Sequence, residues 1–85
     1  MPYAVLLSPA AEREWRKLPH QIRKRANKAM LSLEKDPRPS GTVKLSGSTN
    51  RWRIRVGDYR IIYQIDDSAP QVLILRIAHR RQVYR

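Results

Sequence analysis

Tyr3 to Leu7 is a short, almost wholly apolar run, the pattern of a buried strand. Ser8 then offers a side-chain oxygen for a helix N-cap and Pro9 the fixed φ of a first helical position, with Glu12 and Glu14 near the positive end of the helix dipole. Ala11, Trp15 and Leu18 follow at i, i+4, i+7 and predict an inward stripe, while Arg13, Arg16 and Lys17 face outward. Pro19 interrupts that period, and Ile22, Ala26, Ala29, Met30 and Leu33 resume it, so the spacing predicts a second helix and an αα-hairpin. Asp36-Pro37-Arg38-Pro39-Ser40-Gly41 cannot continue it, because each proline removes a donor and pushes the residue before it toward extended geometry.

The period then changes from that of a helix to that of a strand. Thr42 to Leu45 reads as a short edge strand and Ser46 to Asn50 as a loop rich in turn residues. The stretch RWRIRVGDYRIIYQI, residues 51–65, alternates on both sides of Gly57-Asp58, the arrangement of a two-residue hairpin turn with glycine at the position that needs φ > 0. Such a turn sets Val56 against Tyr59, Ile54 against Ile61 and Trp52 against Tyr63 on one face, all apolar or aromatic. The other face pairs Arg55 with Arg60, Arg53 with Ile62 and Arg51 with Gln64. A turn at Asp67-Ser68-Ala69-Pro70 leads to a strand from Val72 to Ala78, in which Leu73, Leu75 and Ile77 read as the core set and Val72, Ile74, Arg76, Ala78 and Arg80 as the other. Trp15, Trp52, Tyr59 and Tyr63 fall in the inward phase, so packing explains them better than base stacking. The order β-α-α-β-β-β-β predicts an α+β fold: an N-terminal strand, a two-helix hairpin and a mostly antiparallel sheet, helices on one face and a basic concave face on the other.

Charge changes the picture from fold to partner. The chain has 18 Lys plus Arg against 7 Asp plus Glu, a net charge of +11, so polyanions and nucleic acid first among them are the expected partners. At 85 residues it is expected to form one domain over 1–85, burying roughly 60 to 65% of its unfolded surface. No apolar run reaches the roughly 20 residues of a membrane span, no segment joins a basic face to aromatic anchors at helical spacing, and MPYAVLLSPAAE lacks the charged front of a signal peptide; we expect a cytoplasmic protein without a membrane partner. With no cysteine, and with His20 and His79 far apart, neither a metal nor another cofactor is expected. Arg55 facing Arg60 costs something like 0.2 to 1 kcal/mol, which an anion could offset. Arginine suits that anion, since its planar fork grips phosphate with two hydrogen bonds and keeps its charge.

The helix stretch EREWRKLP, the block KLSGSTNRWRIRVGDYRIIYQI and the ending LRIAHRRQVYR resemble the RelE/ParE toxin superfamily, on the RelE side, from Tyr3 to Arg85 in the same element order. The pair formed by GDYRIIY and HRRQVYR is the specific part. The resemblance implies a toxin that enters the A site of the 70S ribosome and cuts mRNA there, held inactive by a cognate RelB-like antitoxin whose acidic or amphipathic segment covers the basic surface. It also implies catalytic roles for Arg53, Arg55, Arg60, Arg80 and Tyr84. The chain departs from well-studied RelE toxins at Arg53 and Arg55, where those carry lysines, and an arginine is a poor general base.

For cleavage by the RNA's own 2′-hydroxyl, Arg60 and Arg80 are assigned to the scissile phosphate and Arg53 and Arg55 to the flanking backbone, while Tyr84 stacks on a base or orients the nucleotide. His79, the titratable group closest to these positions, is the natural acid or base, although strand alternation turns it away from Arg80 unless the strand ends first. His20 reads as solvated surface. Arg51, Lys44, Arg76, Arg81 and Lys17 are further candidates for contact with RNA or the ribosome. Two other readings stay open: a ParE-like inhibitor of DNA gyrase and a module that binds RNA without cutting it.

Overall fold

The computed structural model describes residues 2–47 and 50–83. Along the chain run β1 (Ala4–Leu7), α1 (Pro9–Arg16), α2 (His20–Ser32), β2 (Val43–Lys44), β3 (Arg51–Val56), β4 (Tyr59–Asp66), β5 (Gln71–His79) and α3 (Arg80–Val83). The strands form one sheet in the order β1-β5-β4-β3-β2. β1 runs parallel to β5 and the other neighbours are antiparallel, so the architecture is the α+β fold expected, with a short C-terminal helix added to it.

Local chemistry accounts for the helix boundaries. The Ser8 hydroxyl accepts from the Ala11 N–H at 3.1 Å and donates to the Leu75 carbonyl at 3.0 Å, which caps α1 and fastens its start to β5 in one residue. Pro19 occupies the cap position of α2. At the junction the Arg23 guanidinium donates to the Arg16 carbonyl at 2.8 Å and lies 5.0 Å from the Trp15 ring centroid, while the Trp15 indole N–H donates to Asn27 Oδ1 at 2.7 Å. A cation on the last carbonyls of α1 is the favourable charge for that end of a helix.

Both helices pack on the same sheet face. Ala11, Leu18, Ala26, Met30 and Leu33 meet Val56, Ile61, Tyr63, Ile65, Val72, Ile74 and Ile77 in one buried cluster, with Trp52, Ile54 and Tyr59 partly buried against it. Each large aliphatic member contributes on the order of 1.5 to 3 kcal/mol by burial. Tyr63 is fully buried, its hydroxyl donates to the Pro37 carbonyl at 2.8 Å, and burial pushes its ionisation up to about 12.

The β3–β4 hairpin has the register expected of a Gly57-Asp58 turn, from Val56 opposite Tyr59 to Arg51 opposite Gln64. Gly57 has φ +60, and a Cβ there would sit 3.3 Å from Arg25 Nη1, so both backbone geometry and space favour glycine. β5 departs from expectation. Val72 and Ile74 are buried and Leu73 is 37% exposed, the reverse of the predicted phase. A bulge explains it: Tyr63 pairs with Ile74 but Ile62 with Arg76, leaving Leu75 as the extra residue, after which Ile77 regains the core phase. The strand also ends at His79, so Arg80 begins a helix rather than extending the strand.

Away from that hairpin, Tyr3, Arg38 and Asp67 tie the β4–β5 turn to the segment after α2. Tyr3 donates to Asp67 Oδ1 at 2.7 Å, Arg38 reaches Asp67 Oδ2 at 3.0 Å, and the Arg38 guanidinium lies 5.3 Å from the Trp52 ring centroid. Among the described residues no helix is long and apolar enough to cross a membrane.

Candidate functional site

The Gly57-Asp58 turn brings Arg55 to the end of β3 and Arg60 to the start of β4, opposite one another, and Ala78 of β5 completes the same row across the sheet. A small side chain beside two arginines leaves space, and α3 closes over it from the chain terminus. The result is a cleft of about 270 Å³ lined by Arg55, Gly57, Asp58, Tyr59, Arg60, Arg80 and Arg81. Backbone contacts set its geometry: the Arg80 N–H donates to the Asp58 carbonyl at 2.8 Å, and the Arg81 N–H donates to His79 Nδ1 at 3.3 Å. Four arginines from β3, β4 and α3 therefore line one concavity, in which Asp58 is the sole carboxylate among the described residues. Arg60 lies at its base with 4% relative exposure, where water screens its charge least. Such forks can hold a phosphate by paired hydrogen bonds and stabilise charge that develops on it. Among the described residues the lining carries no histidine, lysine or glutamate.

Other residues singled out by the sequence lie elsewhere. Arg53 is half-buried one row along the same face, in line with Ile62 and Arg76, and Arg51 is exposed a further row away, its Nε donating to Gln64 Oε1 at 3.4 Å. Arg76 does not join the arginines of the cleft as the alternation predicts. Glu14 of α1 holds it, with Nε at 2.9 Å and Nη2 at 2.8 Å from Glu14 Oε2, while Oε1 accepts the Ile77 N–H at 2.8 Å. β1 pairs with β5 only from Gln71 to Ile74, so a carboxylate takes the open edge beyond it and draws the arginine there. That ion pair raises the Arg76 ionisation further above its ordinary value.

Lys44 stands opposite Trp52, hence on the core side of the sheet rather than beside Arg53. Lys17 and His79 share a groove of about 320 Å³ with Glu14, Leu18, Tyr59 and Ile77. The His79 ring meets Tyr59 edge to face at 5.3 Å and 84°. This groove is at the α1 side of β5, as strand alternation predicts for His79, and His79 is not among the cleft's lining residues. His20 is exposed at the start of α2. Tyr84 lies outside the described residues. Sequence reasoning passed over Arg25 and Lys28 of α2, which line a further groove of about 400 Å³ that shares Arg55 with the cleft. The signal available for them was that α2 carries Arg23, Lys24, Arg25 and Lys28 and no acidic residue.

Comparison with known proteins adds a family. A model described as "ParE toxin of type II toxin-antitoxin system, parDE" matches residues 5–84. Toxin RelG of Mycobacterium tuberculosis is 35% identical over 86 residues, covering 100% of this chain and 99% of that protein. The mRNA interferase toxin RelE of Escherichia coli is 27% identical over 84 residues, covering 96% of this chain and 87% of that one. In the crystal structure of the archaeal RelE-RelB complex from Pyrococcus horikoshii OT3, a chain superposes with a TM-score of 0.84 at 28% identity, covering 94% of this chain and 97% of that chain.

Proposed function

This chain belongs to the RelE/ParE superfamily of type II toxins, and from that premise we propose that it works in the cytoplasm as an endoribonuclease that cuts mRNA in the A site of the 70S ribosome. The observation that carries this reading is the cleft in which Arg55, Arg60, Arg80 and Arg81 meet. The name of the similar E. coli protein, mRNA interferase toxin, supports the same reaction class.

In the proposed reaction the 2′-hydroxyl of a nucleotide attacks the adjacent phosphorus, the bond to the 5′-oxygen breaks, and the products are a 2′,3′-cyclic phosphate and a 5′-hydroxyl. The proton leaving the 2′-oxygen and the proton gained by the 5′-oxygen must both be exchanged with a group or water nearby. Arg60, at the base of the cleft, and Arg80, fixed to the Asp58 carbonyl, clamp the scissile phosphate and stabilise the phosphorane. Arg55 and Arg53 neutralise the flanking backbone, and Tyr84 orients a base. Arginines are poor proton acceptors, so the protein supplies charge stabilisation and the ribosome supplies alignment. Free RNA is then a poor substrate. No metal takes part in any step.

By the same reading a cognate antitoxin, RelB-like, silences the toxin by covering the arginine cleft; the solved complex of a similar RelE with RelB supports such a partner. Primer extension on ribosome-bound message with wild type, Arg60→Ala and Tyr84→Phe tests the assignment. We expect cuts at A-site codons by wild type and a loss of roughly 10² to 10³ in rate for Arg60→Ala. Equal cutting by all three refutes the site.

A ParE-like action on DNA gyrase is the second reading. It is favoured by the lining, which lacks histidine, lysine and glutamate, and by the name of the matching family model. Intact message together with inhibited supercoiling by the purified protein would establish it.

A further inference from the structure

We infer that the groove between α2 and the end of β3 is a second track for an RNA backbone, running into the arginine cleft through Arg55. Its lining joins Arg25, Lys28, Ala29 and Ser32 of α2 to Arg55 and Val56 of β3, around about 400 Å³. Arg55 also lines the first cleft, so the two concavities share one arginine. β2 pairs with β3 only at Trp52 and Arg53, which leaves the strand edge beside Arg55 and Val56 without a described strand neighbour and opens the groove there.

Charge selects the occupant. Among the described residues the lining contains three cations and no acid, and α2 brings no acidic residue of its own. The ion pairs among the described residues engage Arg16, Arg38 and Arg76 with Glu12, Asp67 and Glu14, all outside this groove. Arg25 and Lys28, three positions apart on a helix, project from one side and present charges to successive phosphates. Ala29 and Val56 supply an apolar floor on which a sugar can rest, and Ser32, whose hydroxyl donates to the Ala29 carbonyl at 2.6 Å, lines the groove beside them. Arg25 also stands beside the hairpin turn, its Nη1 3.3 Å from where a Cβ at Gly57 would lie, so filling the groove bears on the turn that spaces Arg55 from Arg60. The choice of RNA among polyanions rests on the reading given under Proposed function; the groove's taste for a phosphodiester backbone does not.

The test measures binding of a short single-stranded RNA oligonucleotide against salt concentration. Arg25→Gln/Lys28→Gln should flatten the plot of log affinity against log salt by about 1.4, since each phosphate contact on a single strand contributes about 0.7. Lys28→Gln alone, which leaves Arg25 in place beside the Gly57 turn, should flatten it by about 0.7. Arg13→Gln/Arg16→Gln removes two charges from exposed positions on α1 and should leave the slope unchanged. Equal slopes for wild type and the groove variants, or equal losses for the groove and α1 variants, overturn the inference. Primer extension on programmed ribosomes run beside it separates the two proposals: a flattened slope with no cutting by wild type retains the groove and sinks the nuclease, whereas cutting with an unchanged slope does the reverse.

Discussion

The two ends of the β3–β4–β5 sheet use arginine in opposite ways. At the β4–β5 end, Arg38 is gripped by Asp67, backed by Tyr3 and stacked over Trp52. Arg76, farther along β5, is likewise gripped through two of its nitrogens by Glu14. At the β3–β4 end, Arg55, Arg60, Arg80 and Arg81 gather around a cleft whose single carboxylate among the described residues is Asp58. Residue type alone does not distinguish a structural arginine from one offered to a ligand. The position of the nearest carboxylate does, and that is a property of the fold: Glu14 reaches Arg76 only because α1 lies across the open edge of β5.

The largest expected effect separates the ends by function. Arg60→Ala should reduce cutting on the ribosome by roughly 10² to 10³, whereas Arg38→Ala should leave the cutting rate of the folded protein unchanged, both read by primer extension. Next comes a difference in stability. Tyr63 ionises at about 12 when folded because burial disfavours the phenolate. Its folded value is raised, so its contribution is complete below about 10 and is lost as pH rises toward 12, a loss on the order of 2 to 3 kcal/mol. Denaturant melts of wild type and Tyr63→Phe across that range should cross: the variant is less stable by about 1 kcal/mol at neutral pH, having lost the bond to the Pro37 carbonyl, and becomes the more stable of the two as pH approaches 12.

A smaller effect converts one kind of arginine into the other. Glu14→Gln should lower stability by about 1 kcal/mol through the weakened contacts to Arg76 and the Ile77 N–H, and should tighten RNA binding by freeing Arg76. Smallest is an acid effect at the clamped end. The hydrogen bond from Arg38, then that from Tyr3, holds the Asp67 carboxyl below its ordinary value, and Asp66 is lowered by Ser68 and Ala69. Lowered folded values mean stability that is present above about pH 4 and is lost as pH falls through them. Asp67→Asn should make the acid limb of the stability curve shallower, and an unchanged limb would remove Asp67 from the clamp.

Much of this division was legible in the sequence where a single periodicity decided it. Ser8-Pro9 marked the start of α1, and Gly57-Asp58 set the hairpin register that places Arg55 opposite Arg60. The failures came where local pattern was degenerate. The run VLILRIA is apolar on both phases, so alternation could not choose a face, and the bulge at Leu75 then moved the phase within the strand. The Arg76 partnership with Glu14 joins residues far apart in sequence, and nothing local signals it. Arg25 and Lys28 were not singled out, because their relation to Arg55 depends on how α2 settles against β3. The turn from strand to helix at Arg80 carries no proline or glycine to announce it.

The most direct measurement is an NMR titration of the arginine side-chain Nε–H signals with inorganic phosphate and then with a short single-stranded RNA. Saturable shifts are expected for Arg55, Arg60 and Arg80 while Arg38 and Arg76 stay in place at the same concentrations. Shifts of equal size in all five, or Arg38 and Arg76 responding first, would contradict it.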